Sequence, residues 1–215
     1  MQAIESQKSE YIEILRPNDL TMRPIVGGPQ CATHRLSQLL DIVLKPITKE
    51  IDSNLKDTTD LLNRLPSQID NEDVLVTYDV KSLYSNIPHQ LGIEALEFWY
   101  LRSKHLLPRN FSKEFIIDGM KLILENNFFK FNDKVFHQCK GTAMGTKVAP
   151  TYATLVLGYI EQKMYTIIHE NYGDEAYNYI KSNWLRFLDD CFMRWNKILC
   201  DIPTLTGILN QLHPD

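Results

Sequence analysis

No Cys-x-x-Cys pair occurs in this chain; Cys31, Cys139, Cys191 and Cys200 are scattered. That excludes the ligand spacing of zinc fingers and zinc ribbons. Met1 to Glu10 is polar and lacks the apolar core of a secretory leader. The expectation is therefore an intracellular chain with reduced thiols rather than a disulfide scaffold. No apolar run reaches membrane-spanning length, so no membrane partner is expected. Positive charge is not in excess either. The 23 Lys and Arg against 27 Asp and Glu leave a net charge of -4. This argues against a protein that coats nucleic acid through a basic face. It does not argue against one that gathers carboxylates around metal-bound phosphates. The 6 histidines show no ligand spacing and are assigned no role. Glycine and proline are sparse, at 9 and 10 of 215 residues, and 44% of the chain is hydrophobic. That composition folds, as one domain or two small lobes. No internal repeat or low-complexity stretch divides it.

What is present alternates between strand and helix patterns. Arg16 to Pro29 holds three prolines and a Gly27-Gly28-Pro29 turn, and reads as extended or looped. Thr33 to Thr48 carries leucines and other apolar residues at helical spacing, with Pro46 expected to end or kink the helix. Val74 to Val80 is short, apolar and β-branched, a buried strand. A Ser85-Asn86-Ile87-Pro88 turn leads into a helix from Pro88 to about Lys104. A second helix is expected over Phe111 to Asn126. Phe128 to Gln138 reads as a hairpin turning at Asn132-Asp133. A glycine-bearing loop, Lys140 to Ala149, precedes a long helix from Pro150 to about His169. Trp184 to Trp195 has two apolar arms around Asp189-Asp190, a hairpin with carboxylates at its tip. A short helix over Pro203 to Leu212 follows. Trp184, Trp195 and Phe128-Phe129 are expected in the core.

Asp189-Asp190 is unusual chemically. Asp is a poor strand residue, and adjacent like charges repel. A turn is the simple compensation, because Asp favours turns; a bound divalent cation is the functional one. Asp79, at the end of the Val74 to Tyr78 run, reads as a helix cap, a solvent-facing residue or a metal ligand. Mg²⁺ takes oxygen ligands and is commonly held by one or two carboxylates plus substrate phosphates. Two such ions, about 3.5–4 Å apart, serve in-line displacement at phosphorus. That arrangement needs acids from neighbouring strand ends. Asp79 and Asp189 would supply them, with Asp190 in support.

These residues carry a family resemblance. Phe187-Leu188-Asp189-Asp190 is similar to the aromatic-x-Asp-Asp signature of reverse transcriptase palms. Asp79, followed five positions later by Tyr84, resembles the preceding palm motif. Met144-Gly145-Thr-Lys-Val-Ala149-Pro150 resembles the family's Gln-Gly-x-x-x-Ser-Pro element, with Met for Gln and Ala for Ser. The wider wording resembles Penelope-like retroelement reverse transcriptases, relatives of telomerase. It includes Lys140 to Ala153, Asp79 to Pro88 and Lys56-Asp-Thr-Thr-Asp60. The resemblance runs from about Leu15 onward.

The resemblance implies an α+β fold, with a small antiparallel palm sheet, helices on one face and partial fingers. It places fingers elements at about 11–50 and palm at about 70–215, with a thumb expected to be absent and the chain truncated. It implies an RNA-directed DNA polymerase using two Mg²⁺, with Mn²⁺ as the alternative ion. Asp79, Asp189 and the Val80 carbonyl would hold the metals. Tyr84 would screen the sugar, or packs the turn. Gly145 and Met144 would pack against template and nucleotide. Arg23 would grip triphosphate through its planar fork, or is a surface arginine before a proline turn. Lys147 reads as a solvated loop lysine, with contact to phosphate or backbone as the alternative. The implied partners are an RNA template, a DNA primer and deoxynucleoside triphosphates; retroelement replication suggests a nuclear role. The alternatives are a catalytically inactive remnant that binds nucleic acid or a partner protein, and a metal-dependent nuclease.

Overall fold

The computed structural model describes residues 31–131, 133–196 and 198–212. The chain order is α1 (His34–Leu44), a 3₁₀ turn (Lys45–Glu50), α2 (Thr58–Arg64), β1 (Asp73–Asp79), α3 (Leu83–Asn86) and α4 (His89–Arg102). A second 3₁₀ turn (Lys104–Leu106) follows, then α5 (Lys113–Glu125), β2 (Phe128–Phe131), β3 (Lys134–His137), α6 (Ala149–Asn183), β4 (Trp184–Phe187), β5 (Asp190–Asn196) and α7 (Ile202–Leu212). The expected α+β class is what forms. β1, β5 and β4 make an antiparallel sheet with β5 at its centre, and β2 and β3 form a separate hairpin. Among the described residues, no helix is long and apolar enough to cross a membrane.

Local chemistry explains the boundaries. Pro46 lacks the N–H an α-helix needs, and α1 gives way to the 3₁₀ turn that contains it. α2, which periodicity did not predict, is set by a reciprocal cap. Asp57 accepts the Asp60 N–H at 2.9 Å, while Asp60 accepts the Lys56 N–H at 3.1 Å. Ser112 caps α5 by accepting the Phe115 N–H at 3.1 Å. α6 runs past the expected end near His169. It breaks at Gly173, whose φ of 77° and ψ of -172° suit only glycine, and resumes to Asn183.

Two apolar clusters fill the interior. α1, α4, α5 and the first half of α6 bury Leu40, Trp99, Met120, Tyr152 and Leu155 among themselves. The second cluster joins the rest of α6 and α7 to one sheet face through Met164, Ile180, Trp184, Met193, Trp195 and Leu205. Trp184 and Trp195 are core, as expected. Phe128 is not: it stays 52% exposed. Among the described residues β2 pairs only with β3 and no second layer covers Phe128, which stacks on His137 across the hairpin.

The N-terminus of α6 is fixed from outside the helix. Ser37, buried on α1, accepts the Val148 N–H at 3.0 Å, and Thr151 donates to Asp41 at 2.5 Å. A helix start leaves several N–H groups unpaired, and Ser37 supplies one acceptor across the core. Ser37→Ala would strand a buried donor. The expected cost is about 1–3 kcal/mol of unfolding free energy, read from urea denaturation.

Candidate active site

Strand alternation sorts β1 into two faces. Val74, Val76 and Tyr78 pack toward the helices, while Leu75, Thr77 and Asp79 point outward. The register of β1 on β5 sets Asp79 opposite Asp190. Directly opposed residues share a face, so both carboxylates stand on the outer face at the same end of the sheet. That face, with Thr77, Phe187 and Phe192, borders an open cleft of about 710 Å³ whose far wall is Leu55, Asp57, Thr58 and Leu61.

Phe187 pairs with Asp190, which leaves Leu188-Asp189 as a two-residue turn. Asp190 is thus the first residue of β5, and of the two tip acids only Asp189 lies in the turn. Leu188 takes a φ of 52°. Two-residue hairpin turns that require positive φ favour Gly or Asn, and a bulky residue there is strained. The Asp189 carbonyl accepts the Val80 N–H at 3.1 Å, which extends the ladder one step past Asp79. Among the described residues, no side-chain hydrogen bond or ion pair reaches the carboxylates of Asp79, Asp189 or Asp190. Nor do any three His, Cys, Asp or Glu side chains among the described residues gather as a complete cation cage. Two facing carboxylates without cationic partners among the described residues nevertheless suit an ion whose remaining ligands come from substrate phosphates.

Tyr84, half-buried on α3, is held beside these acids. Burial and then the negative charge of Asp189 push its phenol above the usual tyrosine range. Its backbone is pinned by the loop that precedes α6. The Thr142 N–H donates to the Tyr84 carbonyl at 2.7 Å, and the Gly141 N–H donates to Ile87 at 3.0 Å. His89 Nε2 donates to the Gly141 carbonyl at 2.9 Å. Gly141 has a φ of 74°, and a Cβ there would stand 2.2 Å from the Tyr84 carbonyl oxygen. Gly141 and His89 escaped the sequence reading. The glycine was visible in the Lys140 to Ala149 loop, but only the fold reveals what it touches.

Met144 and Gly145 are half-buried in that loop, which Thr142 ties to Tyr84 and Gly141 ties to Ile87; Lys147 is exposed. The structure therefore brings Asp79, Val80, Asp189, Asp190 and Tyr84 together, and the loop that carries Met144-Gly145 is bonded to Tyr84 and Ile87 through Thr142 and Gly141. Arg23 lies outside the described residues.

With that geometry in place, comparison decides the family. The model for reverse transcriptase (RNA-dependent DNA polymerase) matches residues 15–210. The chain belongs to the reverse transcriptase family. Its fold is similar to telomerase from Candida tropicalis truncated from its C-terminal domain, at TM-score 0.56 and 13% identity over 85% of this chain and 37% of that one. A second structure of Candida tropicalis telomerase, in the apo form, gives TM-score 0.56 and 13% identity over 84% and 34%. Telomerase from Candida albicans with a TWJ fragment of telomeric RNA gives 0.53 and 10% over 86% and 32%. The chain spans about a third of the length of each telomerase. No curated protein matches it.

Two outcomes follow from this geometry. Gly141→Ala would force a side chain into positive φ against the Tyr84 carbonyl. It is expected to lower the unfolding free energy by about 2 kcal/mol or more, measured by chemical denaturation. Asp190→Asn would remove one of two opposed like charges. It is expected to stabilise the metal-free protein by about 0.2–1 kcal/mol, a gain that shrinks as salt rises in thermal melts.

Proposed function

We propose that this chain is the catalytic core of a retroelement reverse transcriptase of the Penelope-like group, copying RNA into DNA. The observation that carries the reading is the pair of opposed carboxylates, Asp79 and Asp190, without cationic partners among the described residues, beside Asp189 in a strained turn and next to Tyr84. The family membership supplies the reaction class. The verbatim-like stretches around Asp79 and Gly145 support the Penelope-like group. On this reading, fingers elements occupy about 11–50 and palm about 70–215.

Asp79, Asp189 and the Val80 carbonyl would hold two Mg²⁺, with Asp190 shaping the charge beside them. Bound there, the ions would neutralise charge at the α-phosphate and favour the ionised primer hydroxyl. The reaction joins the primer 3′-oxygen to the α-phosphorus of a deoxynucleoside triphosphate. The bond to pyrophosphate breaks, and the hydroxyl proton passes to solvent. Tyr84 would meet the sugar 2′ position, with its neutral phenol as a wall. Gly145 and Met144 would lie against template and nucleotide. Asp79 and Asp190 line the open cleft between α2 and the sheet, so a strand end or nucleotide entering it would lie against the acids. Nucleic acid as a partner is also supported by the Candida albicans telomerase, solved with telomeric RNA.

Primer extension tests the reading, using an RNA template, a DNA primer, deoxynucleotides and Mg²⁺. The wild type is expected to extend. Asp79→Asn and Asp189→Asn are each expected to lose about 100-fold or more while keeping their circular dichroism. A folded wild type that extends nothing would reject polymerase activity for this chain and favour a remnant that only binds nucleic acid.

A further inference from the structure

A charged pair lies beneath the acids, on the helix side of the sheet. Arg186 on β4 is 1% exposed, and the Glu161 side chain on α6 is 6% exposed. Arg186 Nε donates to Glu161 Oε1 at 2.6 Å. Its two terminal nitrogens donate to the Leu188 carbonyl at 3.1 Å and the Thr154 carbonyl at 3.3 Å. Glu161 also accepts from Trp184 Nε1 at 3.0 Å and from Ser53 Oγ at 2.6 Å. The backbone joins in: the Arg186 N–H donates to Ser53 at 2.7 Å, and the Arg186 carbonyl accepts the Leu55 N–H at 2.8 Å. Residues 53–55 thereby lie along the open edge of β4.

A buried ion pair is weak evidence for stability, because desolvation offsets most of its attraction, and apolar residues of similar volume often serve as well. The direction of the Arg186 fork is more informative. Leu188 is the strained residue immediately before Asp189, and its carbonyl belongs to the peptide unit that enters Asp189. The peptide unit that leaves Asp189 is pinned by the Val80 N–H. Both peptide planes flanking Asp189 are therefore fixed by hydrogen bonds, one of them from a buried guanidinium that Glu161 orients.

We propose that Arg186, oriented by Glu161, is a positioning residue that holds the Leu188-Asp189 turn so that the Asp189 carboxylate faces the divalent-cation site. The inference rests on the reading above that these acids bind divalent cations. It adds a two-residue device anchored in α6 and reaching to residue 53. Arg is suited to it because one planar group reaches three acceptors in fixed directions; a lysine ammonium cannot reproduce that fork. Groups that orient a metal ligand typically contribute about 10–100-fold in affinity or activity.

The test uses Mn²⁺ alone as probe, titrated by electron paramagnetic resonance, beside primer extension and thermal melting. The variants are Arg186→Lys and the double replacement Arg186→Met with Glu161→Leu; Asp79→Asn defines binding at the acids. The double variant is expected to melt near the wild type yet bind Mn²⁺ about 10-fold more weakly. Its kcat should fall, with the KM for deoxynucleotide little changed. A purely structural pair would instead let the double variant recover both stability and Mn²⁺ binding, and that result overturns the proposal. If the double variant does not fold, Arg186→Lys decides: wild-type Mn²⁺ binding overturns the proposal, and weakened binding in a folded protein supports it. A wild type that extends primers while the variants match it rejects the positioning role and keeps the polymerase. A wild type that binds Mn²⁺ at the acids, weakened in the variants, but extends nothing rejects the polymerase and keeps the positioning role. A wild type without Mn²⁺ binding at the acids rejects the positioning role, and primer extension alone then decides the polymerase.

Discussion

The seven-residue register between β1 and β5 is the constraint on which the acid-bearing end depends. Side chains alternate with a period of two, so a slip of one residue would turn Asp79 into the helix layer and expose Tyr78. The register is held by what it buries. Val74, Val76 and Tyr78 meet the same cluster that Cys191, Met193 and Trp195 enter from β5. Apolar packing on the inner face thus sets the polar arrangement on the outer one. A second clasp guards the far end. Asp73 accepts from Tyr179 at 2.8 Å and lies 3.5 Å from Arg194, opposite the end that carries Asp79.

Close approach does for the helices what register does for the sheet. A Cβ on Gly92 would collide with the buried Tyr152 hydroxyl, and one on Gly158 would stand 2.6 Å from Ile51. α6 can therefore lie against α4 at one point and against the 3₁₀ segment at another. From that position α6 contributes Glu161 to the pair beneath the turn and Thr154 to the Arg186 fork. The loop before α6 is held at both ends, by Ser37 at the helix start and by Tyr84 and Ile87 at Gly141 and Thr142. α6 thus gives the elements around the acids a common support, beside the direct pairing of β1 and β4 with β5.

Much of this was legible in the chain. The Val74 to Val80 run, the Asp189-Asp190 hairpin and the Pro46 break are local patterns, and each forms within a residue or two of its expected bounds. α2 was not legible by periodicity, since seven residues carry little of it; its Asp57-x-x-Asp60 cap was the available signal. The second arm of α6 was hidden by Gly173, which reads as a terminator and serves as a break. Phe128-Phe129 misled because aromatic strands usually have a layer to bury against. The Arg186–Glu161 pair was half-visible. Arg186 is the only charge in Trp184 to Leu188, and Glu161 falls on the buried stripe of Leu157, Met164 and Ile168. Two isolated charges in apolar surroundings call for partners, but only the fold shows that they partner each other.

The net charge of -4 looked like an argument against nucleic acid, and the structure shows why a whole-chain count is the wrong measure. Several acids are consumed internally: Glu161 by Arg186, Asp60 by Arg64, and Asp73 by Tyr179 and Arg194. The carboxylates at the β1–β5 end are different, having neither a cation nor a donor among the described residues. Opposed like charges on a strand pair cost stability rather than adding it, and a positive φ at Leu188 adds strain at the same place. A protein that accepts both costs within one turn, and orders a buried guanidinium behind that turn, concentrates its departures from stable design at a single point. Strain and unpaired charge of this kind cluster where chemistry is done, because proteins tend to trade stability for function at such sites. On the proposed reading the missing positive charge arrives with the divalent ions, so the repulsion between Asp79 and Asp190 becomes the attraction that binds them.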